Sequence, residues 1–477
     1  MAFQQALSGL NGASKAIDAT SHNIANSSTV GYKSSVAHFG DVYAASLAGA
    51  GASQIGIGVN LAAVQQQFTQ GNITSTNNPL DISINGAGFF QMDQNGATTY
   101  TRNGQFHLDK NGFIINDQNM KLTGYPAQSG IVVPSTPAPI QISAADLAPI
   151  ATGASTSNGF TGVKGNMNLD SRKTEPSVAW NSTTPASANA AAVAAYYASQ
   201  GVTAATASPA QIAAATAAGS AAAAAAAISA PDPQSYNYST ALSVYDTLGN
   251  PHTLTMFFEK VEPPTTPNTG EWKTHFTVDG TNESFVTGSG GNLVFNNSGK
   301  LISPANGVFN LNIDLAGAMT ALGTSNSALT PLAFNVDFTG STQFGSAFGT
   351  NRLEQDGYAA GHLVGLSVGN DGVIQGRYSN GQTFAQGQVV LANFTNPNGL
   401  QALGNNQWSE TSVSGPALVG APNTSNLGVL SSSTVEESNV DLTAELVNLI
   451  TQQRNYQANA QSIKTQDQIM QTLVNLR

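Results

Sequence analysis

Few residues in this chain could act on a bond or hold an ion, and each sits in a context that denies it the role. Gly365-Leu366-Ser367-Val368-Gly369 fits the G-x-S-x-G pattern, which exposes a serine on a sharp turn between a strand and a helix. Here Asn370-Asp371-Gly372 and another strand-like run follow, so the required helix is not predicted. A secreted serine hydrolase using Ser367 is therefore the weaker reading. Asp93-Gln94-Asn95-Gly96 and Asp109-Lys110-Asn111-Gly112 open like calcium loops. Neither continues to a glutamate at the twelfth position, and Lys110 is a poor neighbour for a cation. Hairpin turns explain them better. The histidines at 22, 38, 107, 252, 275 and 362 form no pair at i+3 or i+4, and Gly56-Ile57-Gly58 and Gly86-Ala87-Gly88 are not completed to a dinucleotide fingerprint. No catalytic residue, cofactor or metal ligand is assigned.

Composition narrows the classes further. Only 9% of the 477 residues are charged, against roughly 25% in an average soluble chain, and the net charge is -11. An uncharged surface that must stay soluble suggests one largely covered by copies of itself or by partners. Sixteen scattered Lys and Arg cannot build a phosphate-neutralising face, so nucleic acid is not expected as a partner. The absence of Cys excludes disulfides, thiolate metal sites and a cysteine nucleophile. The first residues, Met-Ala-Phe-Gln-Gln, have neither a cationic nor an apolar region of the secretory kind. The body, rich in Asn, Thr, Ser and Gly and poor in Lys, reads as extracellular, which together predicts export without a cleaved signal. Ala210 to Ser229 is the most apolar stretch, but Ala dominates it and no membrane insertion is expected.

With no site to position, the elements themselves become the subject. At the C-terminal end, Leu442, Leu446, Leu449, Gln453, Tyr456, Ala460, Ile463, Asp467, Met470 and Val474 alternate in steps of four and three, a heptad seam on a helix. Phe3, Leu7, Leu10, Ser14, Ile17, Ser21 and Ile24 repeat the spacing at the N-terminal end. The helices would be about 33 Å and about 50 Å long at ~1.5 Å rise per residue. Ser438 with Asp441 forms a plausible capping box, and Arg477 suits the other dipole end. The seams carry Ser14, Ser21, Gln453 and Asp467, too little apolar surface to offset about 1 to 2 kcal/mol of backbone entropy per residue. The ends are therefore expected to be mobile in the monomer and to become helical only when many copies pack side by side. The other face of the second helix carries Gln452, Asn455, Gln457, Asn459, Gln461 and Gln466, neutral amides suited to packed neighbours or to a channel wall. The plain alternative is an antiparallel pair capping a globular β-protein.

Between the ends the chain reads as β-structure. Asn26 to Gly31 should end the first helix, and residues 32–77 read as a partly irregular connector with a small-residue tract at Ala44 to Gly58. Leu80, Ile82 and Ile84 alternate into a strand, and Asn-Gly pairs at 95, 103 and 111 predict evenly spaced hairpin turns of a meander. Asn370-Asp371-Gly372 and Asn380-Gly381 repeat that pattern, so both regions are assigned to one β-domain. The intervening segment carries strand-like runs at 241–245, 253–259, 274–278 and 334–338, and an Ala-rich block, 186–230, that Gly201, Pro209, Gly219 and Pro231 should break up. That block reads as a tolerated surface insertion. The fold class is thus mainly β, with two nested β-domains looped out from N- and C-terminal α-helices that form a coiled-coil-like inner domain. The divisions are 1–28 with 438–477, inner; 29–70 with 430–437, connector; 71–145 with 355–429, middle; and 146–354, outer, holding the Ala-rich block.

These residues carry a resemblance. Ser21-His22-Asn23-Ile24-Ala25-Asn26 followed by Thr29-Val30-Gly31-Tyr32-Lys33 is similar to the N-terminal signature of bacterial flagellar rod and hook proteins. Asn78 to Ile82 through Phe90, Tyr100-Thr101-Arg102-Asn103-Gly104 and Leu122 to Tyr125 resemble the family's central β-region. Ser438-Asn439-Val440-Asp441-Leu442 and Gln453-Arg454-Asn455-Tyr456-Gln457-Ala458-Asn459 resemble its C-terminal signature, and Val244-Tyr245-Asp246 with Leu248-Gly249-Asn250 looks like the hook-specific outer domain. The Ala-rich block departs from the pattern. The resemblance implies a hook subunit exported unfolded through the flagellar type III apparatus, which polymerises under a cap into a curved tube joining rod to filament as a universal joint. Implied partners are copies of itself, rod and hook-filament junction proteins, the hook cap and the export apparatus. A distal rod protein of the same family is the alternative; it should lack the insertion between 146 and 354.

Overall fold

The computed structural model describes residues 2–42, 56, 58–128, 130–143, 145–155, 160–180, 183–325, 327–424 and 426–475. The chain divides into two compact units, Met1–Ala145 with Leu363–Arg477, and Asp146–His362. It is mostly β, with helices Ala2–Ala25 and Leu442–Asn475 at its ends. Most of the tract from Ala44 to Gly58, like Arg477, lies outside the described residues.

In the first unit, strands from early and late sequence interleave in one sheet. Its order runs Leu363–Val368, Val373–Tyr378, Thr383–Val389, Lys121–Gln128, Phe89–Gln94, Ala97–Thr101, Gln407–Ser409, Gln401–Gly404. Ile82, Ile84, Phe90, Met92, Leu122, Ile374 and Leu391 sit in its core, fully buried. Asn95 and Gly96 both have positive φ, 54° and 90°, and close the two-residue turn of the hairpin they were expected to form. At Asn111-Gly112 only Gly112 has positive φ; Asp109 Oδ1 accepts the N–H groups of Asn111 and Phe113, so an Asx-capped turn links His107–Leu108 to Ile114–Ile115. Asn103-Gly104 is no hairpin turn. Its backbone lies flat on Ile82, whose N–H donates to the Gly104 carbonyl at 2.8 Å, and a Cβ on Gly104 would collide with the Ile82 carbonyl. The glycine there serves close approach, and the evenly spaced meander gives way to two hairpins, at Asn95-Gly96 and Asn111-Gly112, with non-sequential partners beside them.

The second unit encloses its own core between a five-stranded sheet and a six-stranded one. Strands Tyr238–Tyr245, Pro251–Val261 and Gly270–Val278 extend the expected runs by several residues. Trp272, Phe258, Phe276, Phe295 and Phe338 are buried completely. The Ala-rich block is a helical hairpin, Pro185–Ser199 and Pro209–Ala227, interrupted between Gly201 and Pro209 and ended before Pro231. Pro209 occupies the first helical turn, where a missing N–H costs nothing, behind the capping box of Ser208 and Gln211. Gly219 does not break its helix. A Cβ there would come within 2.6 Å of Val193, so the glycine lets two backbones approach closely.

Candidate assembly surface and its anchor

The terminal helices pair antiparallel. Asn23 Nδ2 lies 3.4 Å from Glu445 Oε1, and a Cβ on Gly9 would sit 3.0 Å from the Asn459 amide. The face of the first helix that is covered is not the apolar one. Ala6, Thr20 and Asn23 are buried, with Gly9, Ala13 and Ala16 between them. That row repeats the heptad but is displaced one residue from Phe3, Leu7, Leu10, Ile17 and Ile24, about 100° around the helix. Phe3 and Leu7 are 50% and 44% exposed, while Leu10, Ile17 and Ile24 are half-buried. Strands Ser35–Val42 and Gly58–Gln66 form a hairpin along the same helix, with Val59 Cγ1 3.2 Å from where a Cβ on Gly12 would be. A cavity of about 520 Å³ remains among Gly9, Gly12, Ala16, Phe39, Gln452 and Asn459.

On the C-terminal helix no described side chain is fully buried. Its half-buried positions, Glu445, Leu449, Gln452, Asn459, Ala460, Ile463 and Gln466, mix one acid and three amides with three apolar groups. Leu442, Leu446, Tyr456 and Met470 are exposed, and Val447, Ile450 and Ile469 join them. The side chain of Val474 lies outside the described residues. Small and polar groups thus line much of the intrachain contact, and half of the described apolar residues expected to form a seam, Phe3, Leu7, Leu442, Leu446, Tyr456 and Met470, are exposed. Arg454 is exposed on the same helix. Asp441 is the N-cap, its Oδ1 accepting from Thr443 N at 2.9 Å and Ala444 N at 3.1 Å. Ser438 instead accepts from Val440 N, so the expected capping box is shifted to a plain aspartate cap three residues later.

The helices are tied to the β-structure by buried polar groups. Asn23 Oδ1 accepts from Ser35 N (2.8 Å) and Tyr32 Oη (3.1 Å), and Tyr32 Oη also meets His22 Nδ1 at 2.7 Å. Burial pushes the Tyr32 hydroxyl above its ordinary pKa. Asn26 closes the helix end onto the His22 carbonyl, and Gly31, at φ +71°, donates to the Glu436 carbonyl. A side chain on Gly31 would strike the Arg102–Asn103 backbone. Asn439 accepts from Ser34 N and donates to the carbonyls of Gln67 and Thr69, pinning both connecting strands. At the centre, Glu436 receives Lys33 Nζ at 2.6 Å and Arg102 Nη1 at 3.1 Å, all three side chains being essentially inaccessible. Gly71 N also donates to Glu436, and Lys33 to the Thr69 carbonyl. Burial pulls the Lys33 ammonium below its ordinary pKa, with Glu436 opposing the pull.

Glu436 was not singled out from sequence. Its partners Lys33 and Arg102 come from distant segments, so no local pattern in the sequence marks it. The residues weighed for chemistry are placed otherwise. Ser367 lies mid-strand, exposed, paired with Gln375 and followed by a turn and another strand. Among the described residues no three His, Asp or Glu side chains converge as a metal site would need.

Comparison with known proteins assigns these features together. Family profiles match along the chain: Flagella basal body rod protein at residues 3–33, Flagellar hook protein FlgE/F/G D1 domain at 83–145, Flagellar basal body protein FlaE D2 domain at 213–358, and Flagellar basal body rod FlgEFG protein C-terminal at 431–476. The chain is 37% identical to the flagellar hook protein FlgE of Escherichia coli K12 over 490 aligned positions that cover 100% of both. It belongs to the flagellar hook protein family. Its identity to the FlgE of Salmonella typhimurium LT2 is 38%, again over the whole of both chains, and to that of Borreliella burgdorferi 29% over 99% and 98%. In hook-family terms the buried Glu436 anchor joins three matched segments, since Lys33, Arg102 and Glu436 each fall within a different one. The first helix of the Ala-rich hairpin, Pro185–Ser199, precedes the matched part of the second unit.

Proposed function

We propose that this chain is the structural subunit of a flagellar hook, a curved hollow tube that carries torque from rod to filament while bending. The observation that carries the reading is the sidedness of the terminal helix pair. Its intrachain contact is lined by Ala6, Gly9, Thr20, Asn23, Gln452 and Asn459, whereas Phe3, Leu7, Leu442, Leu446, Ile450 and Met470 are presented outward. Apolar side chains left in water lose the stabilisation of burial, roughly 1.5 to 3 kcal/mol for each large one fully covered, and neighbouring copies supply that cover in a polymer. Residues 1–28 and 438–477 act as the assembly domain and 29–70 with 430–437 as its connector. Export through the type III apparatus, growth under a cap and attachment to rod and junction proteins follow as the remaining parts of the proposal.

The test is assembly of purified chain. The double substitution Leu446→Gln with Ile450→Gln changes two exposed side chains, so helicity and thermal midpoint of the dilute chain should stay within experimental scatter. Tubes seen by electron microscopy on concentration should be lost. Deleting residues 1–28 or 440–477 should abolish them as well; tubes of normal diameter from either truncation would sink the reading.

A further inference from the structure

The outer unit contains a device that the hook reading does not use. His275, on strand Gly270–Val278, is 1% exposed and faces a carboxylate at each ring nitrogen: Glu259 Oε2 lies 3.0 Å from Nε2 and Glu283 Oε2 lies 2.8 Å from Nδ1. Ionised carboxylates only accept, so the ring satisfies both when it carries both protons. The Trp180 indole is stacked on it, centroids 3.9 Å apart and planes 13° from parallel, an arrangement that favours a cation beneath the ring. Burial works against ionisation of Glu283, but the bonds from His275 and Ser289 outweigh it and hold that carboxyl below its ordinary range. Glu259 approaches from the neighbouring strand, where its cross-strand partner is Lys273, and Glu283 from a short 3-10 turn. Among the described residues, Glu259 and Glu283 are the charged groups paired with the imidazole.

This cluster sits where the Ala-rich helical hairpin joins the β-core. Trp180 lies just before the first helix and also meets Phe257, with ring centroids 5.3 Å apart. Asn282, adjacent to Glu283, donates its backbone N–H to the Ala227 carbonyl at the end of the second helix and its side chain to the Thr183 carbonyl beside the first. Both feet of the hairpin therefore rest on residues 275–283. From Ser177 to Pro231 no side chain carries a charge, so the hairpin makes no ion pair of its own and meets the cluster through Trp180 and the bonds of Asn282.

We infer that Glu259, His275, Glu283 and Trp180 form a proton-operated latch, which docks the feet of the helical hairpin on the outer β-core when His275 is an imidazolium and frees them when it is neutral. Loss of one proton turns a ring nitrogen into a lone pair facing a carboxylate and removes the cation from under Trp180. Both contacts become repulsive or weak, and the stack separates.

Tryptophan emission of the full chain from about pH 5 to 9.5 tests this. A protonated imidazole in van der Waals contact quenches indole, so emission should rise with pH along a single titration that is absent from Trp180→Phe. Elastase cleavage within residues 177–231 should accelerate about tenfold over the same range, as local opening exposes the Ala-rich feet. His275→Gln should show no titration and cleave at the fast rate throughout. Should that variant fold poorly, Glu283→Gln keeps the geometry and removes one charge, so the emission midpoint should move to lower pH. A Trp180-dependent emission that does not titrate, persists in His275→Gln, or keeps its midpoint in Glu283→Gln would overturn the latch.

Discussion

The Asp146–His362 unit and the terminal helix pair solve opposite problems. Asp146–His362 closes its core between two sheets, with Trp272, Phe258, Phe276 and Phe338 out of contact with water. The helix pair does the reverse, covering Gly, Ala, Asn and Gln while leaving Leu442, Leu446, Ile450 and Met470 exposed. A region that finishes its core folds alone; a region whose apolar stripe points outward is completed by something else. In the helix-bearing unit, three buried charges gather at Lys33, Arg102 and Glu436. Rigidity there comes from ion pairs and amide bonds where the helices join the β-structure.

The strongest way to break the comparison is to remove that anchor. Glu436→Gln leaves two buried cations facing a neutral amide, and breaking a buried ion cluster by removing one partner costs about 3 to 5 kcal/mol. Calorimetry should show the transition of the helix-bearing unit falling sharply while that of Asp146–His362 stays in place. Equal movement of both would mean that the two regions do not stabilise themselves separately.

A smaller effect distinguishes the units by pH. His252 is buried between Asp279, 2.7 Å from Nδ1, and Asp246, 3.4 Å from Nε2. The bond to Asp279 is the largest influence and raises the imidazole above its ordinary pKa in spite of burial. The folded value exceeds the unfolded one, so this stabilisation is fully present below about pH 6.5 and is lost as pH rises through the raised value. The midpoint of the Asp146–His362 unit should therefore fall with rising pH over that window, and Asp279→Asn should remove the part of the slope that His252 contributes. A slope of equal size in the helix-bearing unit would erase the distinction.

How much of this was legible follows the same division. Residues with local consequences were readable: Asn95-Gly96 makes the turn its two positive φ angles require, and the alternation of Leu80, Ile82 and Ile84 marks a strand whose isoleucines reach the core. Misreadings came where a residue answers to a distant part of the chain. Gly104 was read as a turn and instead admits the Ile82 backbone; Gly219 was read as a helix breaker and instead admits Val193. At the terminal helices, periodicity revealed the heptad but not which of two neighbouring stripes a single chain covers, because Ala6, Gly9 and Ala13 carry too little hydrophobic signal to compete with Phe3, Leu7 and Leu10. Glu436 was invisible for a related reason, since an ion triad drawn from three distant segments leaves no local pattern.

The finest test concerns where the helix pair draws its order. Asp441 is exposed and caps Leu442–Asn475 through two backbone bonds, from Thr443 N and Ala444 N. Asp441→Ala should cost about 1 kcal/mol, while Asp441→Asn, which can accept the same bonds, should cost a few tenths. Hydrogen exchange of the amides from Thr443 to Glu445 in the dilute chain should speed up several-fold for Ala and little for Asn. In assembled tubes the same substitution should change protection much less, because packing of Leu442 and Leu446 against other copies would then hold the first turn. If protection in the tube falls as far as in the free chain, the exposed stripe is not covered by assembly, and the contrast between a finished β-core and an unfinished helix pair fails at its weaker end.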